Sequence, residues 1–361
     1  MNLNIKNILY GLIISALLAS ISQSMSSYLG TTLFGMDKSP ISPILVALLL
    51  GIILGNKFDF QSSFGLGIQF SMKYVLRIGI ILMGIRLGLV EILGYGFKSL
   101  LVVFPCIVIT IIVTKKIADS FGLRSKIASL IAVGTSICGA SAIVAFAPTI
   151  SAKKNEVVFA IANITVFGIV AMIFYPVIAN FLFALDPLSA GIFLGSSIHE
   201  TAQVAGAGMI YSQQYSQPEV MEISTLTKLV RNTAMIFVIP YMAYHNSSKL
   251  NSKSISFQIK SIFPYFILGF IGLGILRTLG DIGINETGLA FNIFDSSRWE
   301  TYIEHIISIS KFCLVMAMSS IGLSTDIRSF KSIGINVFYY GLAVSFLVGL
   351  LSLALIYLLI H

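Results

Sequence analysis

A cluster of polar side chains lies in the stretch GSSIHETAQVAGAG, residues 195–208, between apolar flanks. His199 and Glu200 are its ionisable members, and Thr201 and Gln203 add neutral hydrogen-bonding groups. A histidine titrates near neutral pH and a neighbouring glutamate can exchange protons, so the pair could couple a solute to a proton gradient. The alternative is a buried pair that only holds helices together. Because successive helical residues point about 100° apart, we expect His199 and Glu200 to contact different neighbours.

A second stretch resembles the first: GTSICGASAIVA (134–145) aligns without gaps on GSSIHETAQVAG (195–206). The alignment places Cys138 opposite His199 and Gly139 opposite Glu200. Gly, Ser and Thr at the centre of an apolar span predict a helix that breaks at membrane depth, where irregular backbone is tolerated only if it lines a cavity or is buried in protein. The free N–H groups and the positive dipole end at such a break suit an anionic group.

The side chains of these two stretches that we predict to bind a substrate anion are mostly hydroxyls and their neighbours. They are Thr135, Ser136, Cys138, Gly139, Ser141, Ser196, Ser197, Thr201 and Gln203. His199 and Glu200 are predicted to couple or gate transport. The alternative is that the small residues only allow close packing of helices in the membrane.

Basic residues outnumber acidic ones within the apolar segments, and two of them share one helix face. Lys228 and Arg231 lie three residues apart in TLTKLVRN (225–232). We predict that they bind the anion, with the Arg231 guanidinium able to grip an oxyanion at two points. The alternative for such long side chains is snorkelling to the membrane interface. The remaining charged residues of the segments include Lys73, Arg77, Arg86 and Lys311, against Glu200 and Glu222.

The sequence HETAQ (199–203) resembles the zinc motif HExxH, in which two histidines one turn apart bind the metal. Position 203 is Gln203, and the chain has only four histidines, so we expect no metal site. Ser224 and Lys228 have the i, i+4 spacing of a Ser/Lys dyad, but the sequence shows no orienting group or oxyanion site for them. We therefore expect a protein that is not an enzyme and holds no cofactor.

Membrane-spanning helices must position these groups, because the composition excludes a soluble protein. The chain has 361 residues, of which 56% are hydrophobic and 11% are charged, against about 25% charged in an average soluble domain. Its apolar runs are long enough to cross a hydrocarbon core of about 30 Å as helices. We predict an all-α polytopic membrane protein with ten or eleven segments in a single transmembrane domain, 1–361. The candidate segments are 7–24, 41–55, 65–90, 97–114, 126–150, 155–183, 188–209, 219–245, 257–280, 303–323 and 333–360.

The distribution of Lys and Arg predicts the orientation, because cytoplasmic loops are enriched in both. One scheme, with a cytoplasmic N-terminus and an external C-terminus, fits Lys6, Lys57, Lys115, Lys116, Arg124, Lys126, Lys249, Lys253, Lys260, Arg328 and Lys331. Lys153 and Lys154 disagree with this scheme if 126–150 crosses the membrane, and agree if that segment returns to its starting face. A return would require 188–209 to return as well. The net charge of +8 is mostly this topology signal, with no basic stripe that would indicate nucleic acid.

Internal similarity predicts inverted repeats, from which transporter folds are commonly built. IILMGIRLGL (80–89) resembles LVMAMSSIGL (314–323), and FKS follows each of them. In the orientation above these two helices run in opposite directions, as inverted repeats require. The stretches 134–145 and 195–206 form the second similar pair, although the order of the two pairs along the chain is not that of a simple tandem repeat.

Four motifs, GTSICGASAIVAFAP, GSSIHETAQVAGAG, TLTKLVRN and MAMSSIGLSTDI, occur in the order of the YeiH-type bacterial membrane proteins, which are often labelled sulfate exporters, and resemble them. The resemblance covers almost the whole chain. It implies a multi-pass protein of the bacterial inner membrane, within the superfamily of bile-acid/sodium symporters and cation/proton antiporters. It also implies a panel domain and a core domain with crossing broken helices, formed by 134–145 and 195–206.

The expected function is secondary active transport of a small anion by alternating access around a site near the middle of the membrane. Sulfate, sulfite or a sulfonate is the expected substrate, and H+ is the expected coupling ion with Na+ as the alternative. A sodium-coupled organic anion symporter and a passive anion channel are the competing functions. The expected partners are the anion and the lipid bilayer, with no nucleic acid. Homo-oligomerisation and the direction of transport stay open.

Overall fold

The computed structural model describes residues 2–29, 32, 39, 41–123, 125–246, 264–327 and 334–361. The basic residues Arg124, Lys249, Lys253, Lys260, Arg328 and Lys331, used above for orientation, lie outside these ranges, as does FKS at 330–332. The described chain is helical apart from short connections and one pair of two-residue strands, Leu289–Ala290 and Phe294–Asp295, which pair antiparallel. The predicted all-α class is therefore confirmed.

Fifteen α-helices make up the described ranges. They are α1 (Asn2–Tyr28), α2 (Pro43–Lys57), α3 (Phe60–Phe70), α4 (Leu76–Met83), α5 (Leu89–Ala118), α6 (Ser125–Ser136), α7 (Ala140–Phe146), α8 (Lys154–Phe183), α9 (Pro187–Ser197), α10 (Thr201–Gln214), α11 (Glu219–Thr233), α12 (Met235–Asn246), α13 (Phe266–Thr287), α14 (Ser296–Ser324) and α15 (Ile335–Leu359). A π-helical segment, Ser71–Val75, joins α3 to α4. Short 3-10 helices follow α4 at Gly84–Arg86, α5 at Asp119–Phe121 and α7 at Ala147–Ile150.

Seven helical stretches of the described chain are long and apolar enough to cross a membrane. They are Lys6–Tyr28, Phe60–Arg86, Leu89–Phe121, Lys154–Phe183, Phe266–Thr287, Ser296–Ser324 and Ile335–Leu359. The predicted segment 41–55 corresponds to the shorter helix α2, and 219–245 is divided at Ala234 between α11 and α12. The helical form follows from the apolar sequence, because a helix satisfies its backbone hydrogen bonds internally where no water is available.

Two compact units divide the chain. The first comprises Met1–Gly94, Met209–Glu222 and Tyr265–Ile327. Within it, α2 packs closely on α14 through small residues, since a Cβ at Gly51 would meet the Ser319 carbonyl oxygen at 2.5 Å. Such close approach is the usual mode of helix packing in membranes. Both members of the first similar pair, 80–89 and 314–323, lie in this unit.

The second unit comprises Tyr95–Gly208, Ile223–Pro264 and Arg328–His361, and it contains the second similar pair. Its apolar core joins α6, α7 and α8 to α12 and α15. Two buried polar side chains attach α15 to that core: the Tyr340 hydroxyl donates to the Thr114 carbonyl at 2.9 Å, and the Asn163 amide donates to the Val337 carbonyl at 2.8 Å. This packing holds the broken helices in place.

The segment 126–150 returns to the face from which it starts. Lys126 Nζ donates to the Ser151 carbonyl oxygen at 2.8 Å, so residues 25 apart in sequence are adjacent. A straight helix of that length would separate them by about 37 Å. Lys153 and Lys154 therefore follow a segment that has turned back, which removes their disagreement with the positive-inside scheme. By the same topology, the return of 188–209 stays a prediction.

Candidate functional site

Two helix breaks in the second unit occur at aligned positions. Helix α6 ends at Ser136 and α7 begins at Ala140, whereas α9 ends at Ser197 and α10 begins at Thr201. Each break therefore leaves three residues, 137–139 and 198–200, that the gapless alignment places opposite one another. The prediction that both stretches contain a broken helix is confirmed.

Gly139 permits the first break by its backbone conformation. Its φ of +74° and ψ of −128° lie in a region that residues with a Cβ rarely adopt. A Cβ there would also collide with the side chain of Glu200. Glu200 is also the residue that aligns with Gly139. The two breaks therefore occur at equivalent positions, and the Glu200 side chain of one break fills the space left by the absent side chain of Gly139 in the other.

Lys228 connects the two breaks through their backbone. The side chain is fully buried, and Nζ donates to the carbonyl oxygens of Ile137 at 3.0 Å, Ile198 at 2.8 Å and His199 at 2.5 Å. An ammonium has three N–H donors and no acceptor, so these contacts use all of them. The cation also lies at the carbonyl ends of α6 and α9, where the helix dipoles are negative.

Arg231, one turn further along α11, binds the last turns of the same two helices. Nε donates to the Ser136 carbonyl at 2.9 Å, and Nη2 donates to the Thr135 carbonyl. Nη1 donates to the Ser196 carbonyl at 2.6 Å and to the Ile198 carbonyl at 3.2 Å. In this structure, backbone carbonyls therefore make the contacts that the sequence assigned to an anion. The predicted anion-binding role of Lys228 and Arg231 stays a prediction.

The serine hydroxyls at the ends of α6 and α9 also have local partners. Ser136 donates to the Ala132 carbonyl at 2.6 Å, and Ser197 donates to the Phe193 carbonyl at 2.5 Å. The hydroxyl of Ser196 lies 2.6 Å from the Ile192 carbonyl and 2.5 Å from the hydroxyl of Ser352. Such bonds to the preceding turn are typical of serine within helices. They leave the hydroxyl oxygens, rather than the hydrogens, for any further contact.

The two helices that begin after the breaks are more accessible than the two that end there. Thr135, Ser136, Ser196 and Ser197 are each at most 1% exposed. By contrast, Ser141 is exposed, and Ala140, Glu200 and Thr201 are partly exposed. The carbonyl ends are thus buried and bound by Lys228 and Arg231, while the residues at the N–H ends, where the dipole is positive, are partly exposed.

Glu200 lies at those N–H ends. Its carboxylate lies beside the backbone N–H of Ala140 and the hydroxyl of Thr165 in α8, and its Oε1 would be 3.3 Å from a Cβ at Gly139. Gln203 supports it, because its Oε1 accepts from the Glu200 N–H at 3.2 Å and its Nε2 donates to the Thr165 carbonyl at 3.3 Å. Glu200 therefore places its carboxyl group beside the first residue of α7.

His199 points to a different neighbour from Glu200, as predicted, although both residues lie in the break between α9 and α10 and not in a helix as assumed. Its Nε2 lies 2.6 Å from the Ser345 hydroxyl, and its buried Nδ1 has no hydrogen-bond partner among the described residues. The Asn232 amide donates to the Thr201 hydroxyl at 3.1 Å, while its buried Oδ1 likewise lacks a partner in the described chain. Cys138 Sγ lies 3.2 Å from Met235 Sδ.

The charges at the paired breaks are two buried cations, Lys228 and Arg231, and one carboxylate, Glu200. The formal balance is therefore positive by one. Within the described ranges, no three His, Cys, Asp or Glu side chains group as metal ligands. The arrangement can hold an anion at the accessible N–H ends, and it can take up a proton at Glu200.

Comparison with known proteins identifies the family. The model of the family described as conserved hypothetical protein 698 matches residues 10–341. The chain belongs to this family. A UPF0324 membrane protein of Fusobacterium nucleatum is 31% identical over 351 residues, with 97% of each chain covered. One from Streptococcus agalactiae is 32% identical over 303 residues, covering 84% of this chain and 85% of the relative. No solved structure matches the chain.

Several contacts of this family member could not be assigned from its sequence. Thr165 and Ser345 are each one of several polar residues within long apolar helices, and nothing nearby in the sequence distinguishes them from packing residues. The carbonyl partners of Lys228 and Arg231 carry no side-chain signal at all. An ion pair between Arg86 and Glu222, with Nε and Oε1 2.7 Å apart in the first unit, was likewise visible only as two charges in apolar segments.

Proposed function

We propose that this membrane protein is a secondary active transporter of a small anion, coupled to protons through Glu200. The observation that carries the proposal is the placement of the Glu200 carboxylate on the N–H end of α7, beside the first turn of α10. Broken helices of this kind form the midplane sites of many transporters, with their N–H ends directed at anionic groups. An internal carboxylate occupies that position here.

Competition between Glu200 and the substrate would couple the two fluxes. While Glu200 is ionised, its carboxylate lies beside the Ala140 N–H and repels another anion. When it takes a proton, the local balance of charge rises by one and a monoanion can replace the lost charge. Proton and anion then bind together, and with a monoanion such as a sulfonate the loaded and empty sites carry the same charge when the transporter changes its access.

The two cations support anion binding without direct contact. Lys228 and Arg231 remain buried on the carbonyl ends, where they offset the negative dipole ends and raise the potential at the neighbouring N–H ends. A positive site favours an anion over a cation as substrate. The resemblance to the YeiH-type proteins supports sulfate, sulfite or a sulfonate, a bacterial inner membrane and a cytoplasmic N-terminus. We propose no enzymatic activity.

Sodium is the second candidate coupling ion. Asn232 Oδ1 is a buried oxygen acceptor without a partner in the described chain, and it belongs to the residue that contacts Thr201 at the start of α10. An oxygen of this kind could coordinate Na+ together with the Glu200 carboxylate. Such a site would couple the anion to sodium instead of protons, so the transport test must impose each gradient separately.

Uptake into proteoliposomes tests the proposal. With one proton per monoanion, a gradient of one pH unit supports at most about tenfold accumulation, because each tenfold gradient stores about 1.4 kcal/mol. We expect the wild type to accumulate labelled anion under a pH gradient and Glu200→Gln to equilibrate it without accumulation or pH dependence. The exposed Glu219→Gln is the matched control. If Glu200→Gln accumulates the anion as the wild type does, the coupling role of Glu200 is rejected. If the wild type accumulates the anion only under a sodium gradient, sodium is the coupling ion. If the wild type only equilibrates the anion, the protein is a channel.

A further inference from the structure

A cavity of about 450 Å³ lies in the first unit. Its walls come from the end of α1, the start of α2, the end of α10 and the middle of α14. Among the residues that line it are Gln23, Ser26, Ser39, Ser212, Gln213 and Lys311. Its volume falls within the range of about 300 to 1,000 Å³ that is usual for small-molecule sites.

Lys311 is the charged residue among the described lining residues. It is partly buried in a membrane-spanning helix, and its ammonium makes no hydrogen bond or ion pair of its own with another residue of the described chain. Arg86 and Glu222 lie within its electrostatic range, but they pair with each other at 2.7 Å. An ionised group within a membrane-spanning helix is costly unless an opposite charge or a hydrogen-bond acceptor lies beside it. An anion in the cavity would provide acceptors for the three N–H donors of Lys311.

Gln213, at the end of α10, adds oriented donors to the lining of the same cavity. The Ser42 hydroxyl donates to Gln213 Oε1 at 2.6 Å, which assigns that atom as the acceptor and leaves the amide N–H groups without a partner in the described chain. Gln23 contributes a second side-chain amide. One ammonium and two amides, with no carboxylate among the described lining residues, match an oxyanion group.

We infer that this cavity binds the oxyanion group of a small anion, a sulfate, sulfonate or carboxylate, at Lys311 Nζ and the Gln213 amide. The inference rests on the proposed function in one respect: it assumes that the anion bound here is also the substrate that is transported. The cavity lies at the end of α1 away from the N-terminus, which the predicted orientation places outside. It therefore serves as a capture site on the outer face. Its volume also accommodates an organic sulfonate or an inorganic oxyanion with bound water.

Equilibrium binding to the purified full chain in detergent tests this site without any transport. The probes are sulfate and 2-hydroxyethanesulfonate, each titrated calorimetrically. We expect Lys311→Gln to weaken binding about 10- to 100-fold, as for the loss of a hydrogen bond to a charged group, and Lys311→Arg to retain it. Gln213→Glu keeps an acceptor for Ser42 but adds a negative charge, so it should weaken binding as well. Lys73→Gln removes an exposed lysine of the same unit and is the control.

The outcomes separate this inference from the proposed function. If Lys311→Gln and Gln213→Glu bind both probes as tightly as the wild type, or if the wild type binds neither probe, the capture site is wrong, whatever the transport assay gives. If the two variants lose binding while the wild type shows no coupled uptake, the capture site stands and the proposed function fails. If Glu200→Gln loses all binding while Lys311→Gln binds both probes as tightly as the wild type, the anion binds at the paired breaks alone and the capture site is wrong.

Discussion

Replacing Lys228 by methionine tests whether this lysine holds the two broken helices together. Methionine keeps most of the side-chain volume but removes all three donors. The carbonyl oxygens of Ile137, Ile198 and His199 then lose their bond to Nζ. Ile198 retains a donor, because Arg231 Nη1 lies 3.2 Å away. Two buried carbonyls, those of Ile137 and His199, are left without any partner in the described chain.

The expected loss of stability follows from those two carbonyls. A buried polar group without a hydrogen bond costs about 1 to 3 kcal/mol, so the variant should lose about 2 to 6 kcal/mol of unfolding free energy. Removal of the buried ammonium offsets part of this loss, since its own desolvation is costly. We therefore expect a value in the lower half of that range, about 2 to 4 kcal/mol.

Unfolding in mixed micelles, followed by helical circular dichroism, measures this difference. The control is Lys98→Met, which removes an exposed lysine from α5 in the same unit and should change the free energy by less than about 0.5 kcal/mol. If Lys228→Met unfolds within about 1 kcal/mol of the wild type, the carbonyls do not depend on the lysine and the reasoning is refuted. A variant that keeps its stability but loses anion affinity would instead support the direct binding role predicted from the sequence.

Two further predictions concern the first break and the returning segment. Gly139→Ala should cost about 1 to 3 kcal/mol, because its φ of +74° and ψ of −128° are unfavourable with a Cβ, and it should reduce transport. Gly96→Ala on α5, where a Cβ meets nothing within 4 Å, should do neither. Equal transport and stability in the two variants would contradict the proposed strain. In a variant without native cysteines, Lys126→Cys and Ala152→Cys should react with an impermeant maleimide from the same membrane face, and Leu185→Cys, beyond the end of α8, from the opposite one. Labelling of the first two from opposite faces would show that 126–150 crosses.

Local sequence was sufficient to locate the broken helices. Both breaks occur where small and hydroxyl residues interrupt an apolar span, and the gapless alignment of 134–145 on 195–206 predicted equivalent positions for them. In each case the deciding interactions extend over a few residues, so that spacing contains the information.

The partners of the long basic side chains could not be predicted in the same way. Lys228 and Arg231 were expected to meet an anion, and in the structure they meet carbonyls of two helices that lie 29 to 96 residues away in sequence. Backbone carbonyls carry no sequence signal. Which of them a buried cation reaches depends on how distant segments pack.

The sequence by itself determined the membrane class, the positions of the helix breaks and the positive balance of charge in the apolar segments, because composition and local periodicity carry these properties. Only the tertiary structure decided that 126–150 turns back, that Glu200 lies on the start of α7, and that Lys311 faces a cavity without an acceptor of its own. Each of these depends on the adjacency of residues remote in sequence, since a long polar side chain is satisfied by whichever group the packing brings within about 3 Å.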